Sequence, residues 1–332
     1  TGLTDIQKLA EADERSLAAT KGTRSSIDTW DDYVARILSY VDTSTLKPLK
    51  IVVNAGNGGA GAALDALAAH LPFEFIRLLH EPDGHFPNGV PNPMLIENRE
   101  VTAQAVREHN ADFGVAWDGD FDRCFVFDEK GDFIEGYYIV GLLAEVVLAT
   151  KPGAGIVHDP RLTWNTVEVV EAAGGRVVQS KSGHSFMKDV MREHSAAYGG
   201  EMSAHHYFSD FYFCDSGMIP WLLIAALMSR TGQSLSELVN ERIERFPASG
   251  EINRRVDDAQ VVMAKLWEKH SPTAVDSNKV DGISIEFEQW RFNLRASNTE
   301  PVIRLNVETR HDRKLLADKT AMLLAEVGGE PA

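Results

Sequence analysis

Three aspartates alternate with other residues in one short segment, Asp118-Gly-Asp-Phe-Asp122, and Arg123 follows directly. The segment stands between two apolar runs, 113–117 and 124–127, which are typical of buried strands. In an extended chain the three carboxylates point to one side, and their mutual repulsion requires a cation among them. Mg²⁺ suits such oxygens because it shares its ligand shell with phosphate groups, which Arg123 could grip. We therefore predict that the metal ligands are Asp118, Asp120 and Asp122.

Two other interpretations of this segment are weaker. A calcium-binding EF-hand loop would place Glu129 at its twelfth position, but Arg123 stands at the sixth position, where the sharp turn demands glycine. Strands, rather than helices, are also predicted on both sides of the segment. A solvated acidic turn without a metal is the remaining alternative.

A second candidate site is the segment Gly199-Gly-Glu-Met-Ser-Ala-His-His206. Its glycines allow the backbone to approach a ligand closely. Glu201 and Ser203 offer an acceptor and a donor two residues apart, which suits neighbouring hydroxyl groups on a sugar, and His205 can carry a phosphate or a proton. Surface histidines on a helix-capping loop are the alternative. A metal site on the histidine pair lacks a third ligand at helical spacing.

A turn rich in phosphate-binding residue types, Arg295-Ala-Ser-Asn-Thr-Glu-Pro301, connects two predicted strands near the end of the sequence. Such side chains and inward-facing backbone N–H groups form a nest for phosphate. An asparagine-centred turn without a ligand is the alternative. The predicted phosphate-binding side chains are Arg295, Ser297, Asn298 and Thr299.

Two weaker signals follow predicted strands, and strand ends are where α/β proteins bind ligands. Lys181 and His184 could supply positive charge or transfer a proton, although an exposed loop histidine is the common alternative. Arg161, in Asp159-Pro-Arg, is a candidate phosphate or substrate contact, with an exposed surface arginine as the stronger alternative.

A glycine turn supports a competing function. Gly56, Gly58 and Gly61 form G-x-G-x-x-G after a predicted strand and before a predicted helix, which is the context of a dinucleotide-binding turn. Glu81, about 20 residues further on, could bind a ribose. An NAD-dependent oxidoreductase is therefore the alternative function. The structural alternative is a tight turn that needs glycine for close packing.

Alternating strands and helices must position these segments. The hydrophobic pattern predicts consecutive mixed α/β domains. Strands adjacent in sequence after residue 247 favour hairpins and a small α+β domain at the C-terminal end. A length of 332 residues is enough for two or three domains.

The composition excludes several classes of protein. With 33 Lys and Arg against 49 Asp and Glu, the formal charge is −16, which disfavours nonspecific binding to nucleic acid or anionic membrane. Two cysteines, Cys124 and Cys214, cannot form a disulfide framework and favour a reducing compartment. The most apolar stretch, 218–228, is far shorter than the roughly 20 residues of a membrane span. We expect a cytoplasmic protein without nucleic-acid or membrane partners.

Together, the three segments resemble the motifs of the α-D-phosphohexomutase family, the phosphomannomutase/phosphoglucomutase enzymes. The metal loop (118–123), the sugar loop (200–205) and the phosphate loop (295–301) occur in the family's order, and the resemblance covers nearly the whole chain. It implies that mannose 1-phosphate and mannose 6-phosphate are interconverted through a phosphoserine enzyme and a hexose 1,6-bisphosphate. It also implies Mg²⁺ as cofactor and hexose 1,6-bisphosphate as activator, and it reduces the glycine turn to a structural role.

The resemblance assigns a role to each candidate residue. The catalytic contacts that it implies are Arg123, His184 and His205. The substrate-binding residues that it implies are Arg161, Glu201, Ser203, Arg295, Ser297, Asn298 and Thr299. The substrate is a phosphosugar of mannose or glucose, and we expect a monomer or a weak homo-oligomer.

One family element has no counterpart in the sequence. The family's first domain carries a Thr-Ala-Ser-His-Asn-Pro loop whose serine is phosphorylated, and no such hexapeptide occurs in the 332 residues. We therefore expect this chain to be inactive alone. The predicted units are 1–25, a remnant of the first domain and a linker; 26–130, with the metal loop; 131–243, with the sugar loop; and 244–332, with the phosphate loop.

Overall fold

The computed structural model describes residues 2–12, 18–297 and 302–332, which form three units built on separate sheets. The helices are α1 (Gly2–Glu11), α2 (Trp30–Leu38), α3 (Ala60–Ala68), α4 (Glu100–His109), α5 (Gly136–Thr150), α6 (Trp164–Ala172), α7 (His184–Glu193), α8 (Met218–Thr231), α9 (Leu235–Arg245), α10 (Ala259–His270) and α11 (Arg313–Val327). The strands are β1 (Lys50–Asn54), β2 (Glu74–Leu78), β3 (Phe113–Trp117), β4 (Cys124–Phe127), β5 (Phe133–Ile134), β6 (Gly155–His158), β7 (Arg176–Gln179), β8 (Ala196–Gly200), β9 (His206–Phe208), β10 (Cys214–Asp215), β11 (Ile252–Arg255), β12 (Asp276–Asn278), β13 (Ile283–Glu286), β14 (Trp290–Ala296), β15 (Val302–Thr309) and β16 (Glu330–Pro331).

The first sheet has the strand order β2-β1-β3-β4-β5. Strands β1, β2 and β3 are parallel, whereas β4 and β5 are antiparallel to their neighbours. All five residues of β3 are buried, as expected for a strand inside an α/β sheet. The chain leaves the carboxyl end of β3 at Asp118, so the sheet presents the three aspartates at that edge.

The second sheet has the order β10-β9-β8-β6-β7, with β6, β7 and β8 parallel. The carboxyl ends of the parallel strands meet at one edge of the sheet, which is where open α/β sheets bind ligands. Asp159 follows β6, Lys181 lies two residues beyond β7, and Glu201 follows β8. The fold therefore brings three of the segments selected from the sequence to one edge.

The third sheet is antiparallel, with the order β12-β13-β14-β15-β11-β16. Strands β14 and β15 pair from Trp290 with Thr309 to Ala296 with Ile303. The phosphate loop is therefore the connection of a long hairpin. The predicted fold class, mixed α/β units followed by a small α+β unit, is confirmed.

The first two units share one hydrophobic core, whereas the third has its own. Trp117, Tyr137 and Trp221 belong to a single buried cluster that continues from the first sheet to the second. Phe292 and Leu305 belong to a separate cluster beneath the third sheet. The third unit is attached to the second largely through polar contacts that lie close to the candidate site.

A buried ion pair makes the firmest of these polar contacts. The fully buried carboxylate of Glu308 accepts bonds from Arg291 Nη1 at 2.7 Å, from the backbone N–H of Thr163 at 2.7 Å and from the hydroxyl of Tyr137. Arg291 Nη1 also donates to the carbonyl oxygen of Arg161 at 3.1 Å. Since Arg291 and Glu308 lie on β14 and β15, these bonds fix the third sheet against the turn that carries Arg161.

None of the helices within the described ranges has the length and apolar character needed to cross a membrane.

Candidate active site

The three aspartates of the metal loop converge. One carboxylate oxygen from each of Asp118, Asp120 and Asp122 lies within 4.8 Å of those of the other two. Arg123 steadies the loop, because its Nε donates to Asp118 Oδ2 at 2.6 Å and its backbone N–H donates to Asp118 Oδ1 at 3.2 Å. Asp122 Oδ1 is buried without a hydrogen-bond partner in the described part of the chain. An unpartnered buried carboxylate oxygen beside two other carboxylates fits a divalent cation such as Mg²⁺.

The carboxylates around Asp122 affect its pKa. Burial, together with the negative charges of Asp118 and Asp120, raises the pKa of Asp122 to about 6, although His205 acts in the opposite direction. A divalent cation at this position would reverse that shift by favouring the ionised carboxylate.

The glycine turn (residues 56–61) packs against the backbone of the metal loop. The backbone N–H of Gly59 donates to the carbonyl oxygen of Gly119 at 2.9 Å. A Cβ atom at Gly58 would lie 2.5 Å from that same oxygen, and one at Gly61 would lie 2.3 Å from the carbonyl oxygen of His80. These glycines permit backbone-to-backbone packing. Packing accounts for these glycines, and nothing in the described residues supports the oxidoreductase alternative built on this turn.

Two histidines share one aspartate next to the metal loop. Asp215 Oδ2 lies 3.0 Å from Nδ1 of His184 and 3.1 Å from Nδ1 of His205, and the two imidazole rings are 4.6 Å apart. Lys188 Nζ is 3.1 Å from the other oxygen of Asp215. Burial opposes ionisation of Asp215, but the bonds from His205 and Lys188 lower its pKa to about 2. Asp215 therefore remains anionic and orients both rings.

The histidine cluster and the metal loop form one continuous group. His205 Nδ1 lies 3.6 Å from Asp122 Oδ1, and His184 Nε2 lies 3.8 Å from Asp122 Oδ2. The backbones of Arg123 and His205 also form an antiparallel bridge. The backbone bridge thus sets the distance between the predicted phosphoryl contact, Arg123, and one of the two predicted proton-transfer residues, His205.

His206 turns away from this cluster. It is fully buried, and its Nδ1 contacts the hydroxyl of Tyr198 at 2.7 Å. The adjacent histidines 205 and 206 therefore do not share a metal. The groups near His205 come from distant parts of the chain, which is why spacing within the segment did not reveal them.

Glu201 is buried and fully oriented. Its Oε1 accepts from the backbone N–H of Gly183 at 2.9 Å, and its Oε2 accepts from the hydroxyl of Tyr207 at 2.6 Å. Each carboxylate oxygen has two lone pairs, so each retains capacity for a sugar hydroxyl. Ser203 is nearby, and its Oγ accepts from Arg161 Nη2 at 3.1 Å. The two predicted sugar-binding side chains are thus linked through Arg161, whose Nη2 lies 3.7 Å from Glu201 Oε1.

Arg161 is not a surface residue. It is 1% exposed, so the surface alternative is wrong. Its Nε and Nη2 donate to the two oxygens of Asp159 at 3.0 and 2.8 Å, the paired geometry that guanidinium and carboxylate favour. Its Nη1 lies 3.4 Å from Glu251 Oε2 in the third unit. Arg161 therefore connects the sugar loop to the phosphate side of the site.

Arg295 lies at the base of the phosphate loop. Its Nη2 is 3.5 Å from Glu251 Oε2, and its Nη1 is 3.6 Å from Asp281 Oδ2. Burial and the nearby Arg161 lower the pKa of Arg295. The backbone N–H of Ser297 bonds to the carbonyl oxygen of Val302 at 2.8 Å. The predicted contacts Asn298 and Thr299 lie outside the described residues.

Sequence reasoning missed several charged residues of this region, among them Lys188 and Asp281. Asp215 joins the histidines, and Glu251 and Arg304 join Arg295 and Arg161. Arg304 lies opposite Arg295 in the observed register, in which Ala296 pairs with Ile303, and the turn residues alone do not predict that register. Asp215 and Glu251 carry no local signal, since their partners lie on other elements.

Comparison with known proteins identifies the same three units. Family models described as phosphoglucomutase/phosphomannomutase match domain II at residues 31–131, the alpha/beta/alpha domain III at residues 135–246 and the C-terminal domain at residues 251–326. These matches cover most of the chain.

Similar proteins agree with these models. A protein of Xanthomonas campestris pv. campestris named "Phosphohexose mutases" is 60% identical over 320 residues, which cover 96% of this chain and 71% of that protein. A phosphomannomutase of Escherichia coli is 56% identical over 333 residues, which cover 98% and 73%. A solved phosphoglucomutase/phosphomannomutase family protein from Burkholderia thailandensis superimposes with a TM-score of 0.82 at 30% identity, covering 97% of this chain and 69% of that structure. The chain belongs to the phosphoglucomutase/phosphomannomutase family, the α-D-phosphohexomutases.

Proposed function

We propose that this chain carries the metal, sugar and phosphate sites of a phosphomannomutase, an isomerase that interconverts mannose 1-phosphate and mannose 6-phosphate by phosphoryl transfer. The observation that carries the proposal is the unbroken series of contacts from the metal loop to the phosphate loop. It runs from Asp122 to His205, whose backbone carbonyl oxygen accepts from the N–H of Glu201 at 2.9 Å. From Glu201 it continues through Arg161 and Glu251 to Arg295. The phosphomannomutase relatives at 51–56% identity support the same activity.

The two ends of the site serve two phosphates. We assign the reacting phosphoryl group to the metal-loop end, where Asp118, Asp120 and Asp122 would hold Mg²⁺ and Arg123 would contact the phosphoryl oxygens. When bound, Mg²⁺ supplies positive charge that stabilises the transferring group. Arg295 and the backbone that follows it hold the phosphate that does not react.

The sugar is recognised between these ends. Glu201 and Ser203 bind neighbouring hydroxyls, and since both ends of the sugar must reach the metal loop in turn, they serve in both orientations. His184 and His205 lie beside the metal loop and are the candidates for moving the proton of the attacking or departing hydroxyl. Asp215 orients both rings toward that task.

The phosphoryl donor in this scheme is a phosphoserine, and the product of the first transfer is a hexose 1,6-bisphosphate. The 332 residues contain no Thr-Ala-Ser-His-Asn-Pro sequence. We therefore propose that these residues alone bind the sugar phosphate without turning it over, and that hexose 1,6-bisphosphate activates the phosphorylated enzyme. The cytoplasm remains our proposal for its location.

The test is a calorimetric titration of the 332-residue chain with mannose 1-phosphate and Mg²⁺, beside a coupled mutase assay with a trace of hexose 1,6-bisphosphate. We expect saturable binding without turnover. Arg295→Gln should weaken binding about tenfold or more, whereas Arg255→Gln, an exposed arginine of the same unit, should leave it unchanged. Absence of binding by the unchanged chain would refute the assignment, and turnover would show that a serine within these residues carries the phosphoryl group.

A further inference from the structure

Three arginines meet at one carboxylate beside the phosphate loop. Glu251 Oε1 lies 3.1 Å from Arg304 Nη1, and Glu251 Oε2 lies 3.4 Å from Arg161 Nη1 and 3.5 Å from Arg295 Nη2. The Glu251 side chain is 6% exposed, and those of the arginines are 2% to 28% exposed. One buried anion is therefore shared among three cations that come from two units of the fold.

Two of these arginines, Arg295 and Arg304, have donors without acceptors among the described residues, whereas Arg161 is also paired with Asp159. Arg295 and Arg304 face each other directly across β14 and β15, and like charges in that position destabilise a sheet. The Nε atoms of both are buried and have no hydrogen-bond partner within the described ranges. Buried donors of charged groups are costly when they remain unpaired. The unpaired Nε donors of Arg295 and Arg304 could therefore bind a second anion.

A phosphate monoester has the properties that this group lacks. It brings about two negative charges and three free oxygens, and planar guanidinium groups bind phosphate through paired bonds. Such a phosphate at Arg295 would compete with Glu251 for the same N–H groups. The carboxylate and the phosphate would also repel each other across a short distance.

We propose that Glu251 is the internal counter-ion of the phosphate subsite. While no phosphate is bound, it holds Arg295 and Arg304 beside Arg161, which Asp159 also holds, and it limits the affinity for phosphate by competing for these arginines. The inference rests on the proposed function, since it requires phosphate to bind at Arg295. Glu251 is a positioning residue, because it acts through the arginines.

The test compares Glu251→Gln with the unchanged chain, using inorganic phosphate and mannose 1-phosphate as ligands. Glutamine retains an acceptor but removes the charge. Without phosphate, the variant should melt at a lower temperature because the arginines repel one another. With phosphate, its melting temperature should rise more than that of the unchanged chain, and its affinity should increase about tenfold.

Two further variants sharpen the result. Glu251→Asp keeps the charge and should show a much smaller gain in phosphate affinity than Glu251→Gln. Glu241→Gln removes an exposed carboxylate on α9 and should behave like the unchanged chain. If Glu251→Gln folds poorly, added phosphate should restore its melting transition.

Several results would overturn the proposal. A merely structural role predicts that Glu251→Gln binds phosphate more weakly, or that phosphate fails to restore a poorly folded variant. Equal affinity in the variant and the unchanged chain would also reject it, while leaving the proposed function intact. If neither ligand binds the unchanged chain, the proposed function and this inference both fail.

Discussion

Glu201 shows how a single buried charge is kept ready for a ligand. Burying a carboxylate is costly unless hydrogen bonds compensate for the loss of water. Here Gly183 and Tyr207 each donate one bond, and the charge of Arg161 lies close by. The carboxylate is thus held in one orientation before the sugar arrives, which reduces the entropy lost on binding.

Replacing Glu201 with glutamine should impair binding more than folding. Charge-assisted hydrogen bonds contribute more than neutral ones, so Glu201→Gln should weaken mannose 1-phosphate binding by about tenfold or more. Arg161 keeps both bonds to Asp159, so the variant should still melt cooperatively. Calorimetry and thermal unfolding check the two parts, with Glu241→Gln as the control. Unchanged affinity would contradict the sugar-binding role.

His206 should make the fold sensitive to acid. Burial lowers its pKa to about 3 from an ordinary 6.5, so the unfolded chain takes up a proton at a higher pH than the folded chain. The contribution of neutral His206 is therefore complete above pH 6.5 and is lost progressively as the pH falls toward 3.

His206→Gln tests this assignment. The free energy of unfolding in urea, measured between pH 7 and pH 4, should fall less steeply with decreasing pH in the variant than in the unchanged chain. The variant is also expected to be less stable at pH 7, since the contact with Tyr198 changes. Parallel pH profiles for the two chains would show that another group causes the acid sensitivity.

At the scale of elements, one glycine turn controls the shape of the metal loop. Gly58 and Gly59 lie against the backbone of Gly119, in the middle of the aspartate segment. The metal loop connects β3 to β4, and every residue of both strands is buried. Its conformation therefore depends on an element more than fifty residues earlier in the sequence.

Gly58→Ala should weaken Mg²⁺ binding. The added Cβ would lie 2.5 Å from the carbonyl oxygen of Gly119, so either the turn or the metal loop must shift. We expect a loss of about 1–3 kcal/mol in stability and a lower Mg²⁺ affinity in a calorimetric titration. Gly84→Ala is the matched control, because nothing lies within 4 Å of its Cβ position. Equal Mg²⁺ affinity in both variants would contradict the supporting role.

The sequence was sufficient for features that depend on local residue types. The apolar runs before Asp118 and around Arg295 predicted the strands, and the alternation of strands and helices predicted the fold class. The group around Glu251 was not predictable in this way, because Glu251 is 53 residues from Arg304 and 90 from Arg161 along the chain. The role of the G-x-G-x-x-G turn was ambiguous for a related reason. Its packing partners, Gly119 and His80, lie elsewhere in the chain, and a pattern of glycines does not predict them.

At the scale of the whole molecule, two kinds of interface hold the units together. The first two units share a hydrophobic core and backbone hydrogen bonds between their loops, such as Cys124 N–H to the carbonyl oxygen of Ala204 at 3.0 Å. The third unit has its own core and contacts the second through buried side-chain charges. Arg291 and Glu308 form a buried ion pair within the third unit, and this pair bonds to the backbone of Arg161 and Thr163 in the second.

Glu308→Ala should therefore destabilise the protein strongly. It would leave the Arg291 charge buried without its carboxylate, which costs about 3–5 kcal/mol. Urea unfolding measures the loss. Asp65→Asn, which removes a half-exposed partner of Arg77, is the control and should cost less than about 1 kcal/mol. Comparable small losses in both variants would show that the buried pair does not secure the third unit.

The backbone bridge between Arg123 and His205 limits how chains of this family can be recombined. A chimera whose crossover falls between these residues would pair one relative's metal loop with another's histidine loop. The hydrophobic core that the first two units share would then combine side chains from two different proteins. A crossover near residue 247 would leave the core shared by the first two units intact and would divide mainly polar contacts, such as those of Arg161, Tyr137 and Thr163 with the third unit. Hybrids that exchange the first two units as one block should therefore fold more often than hybrids that exchange either one alone.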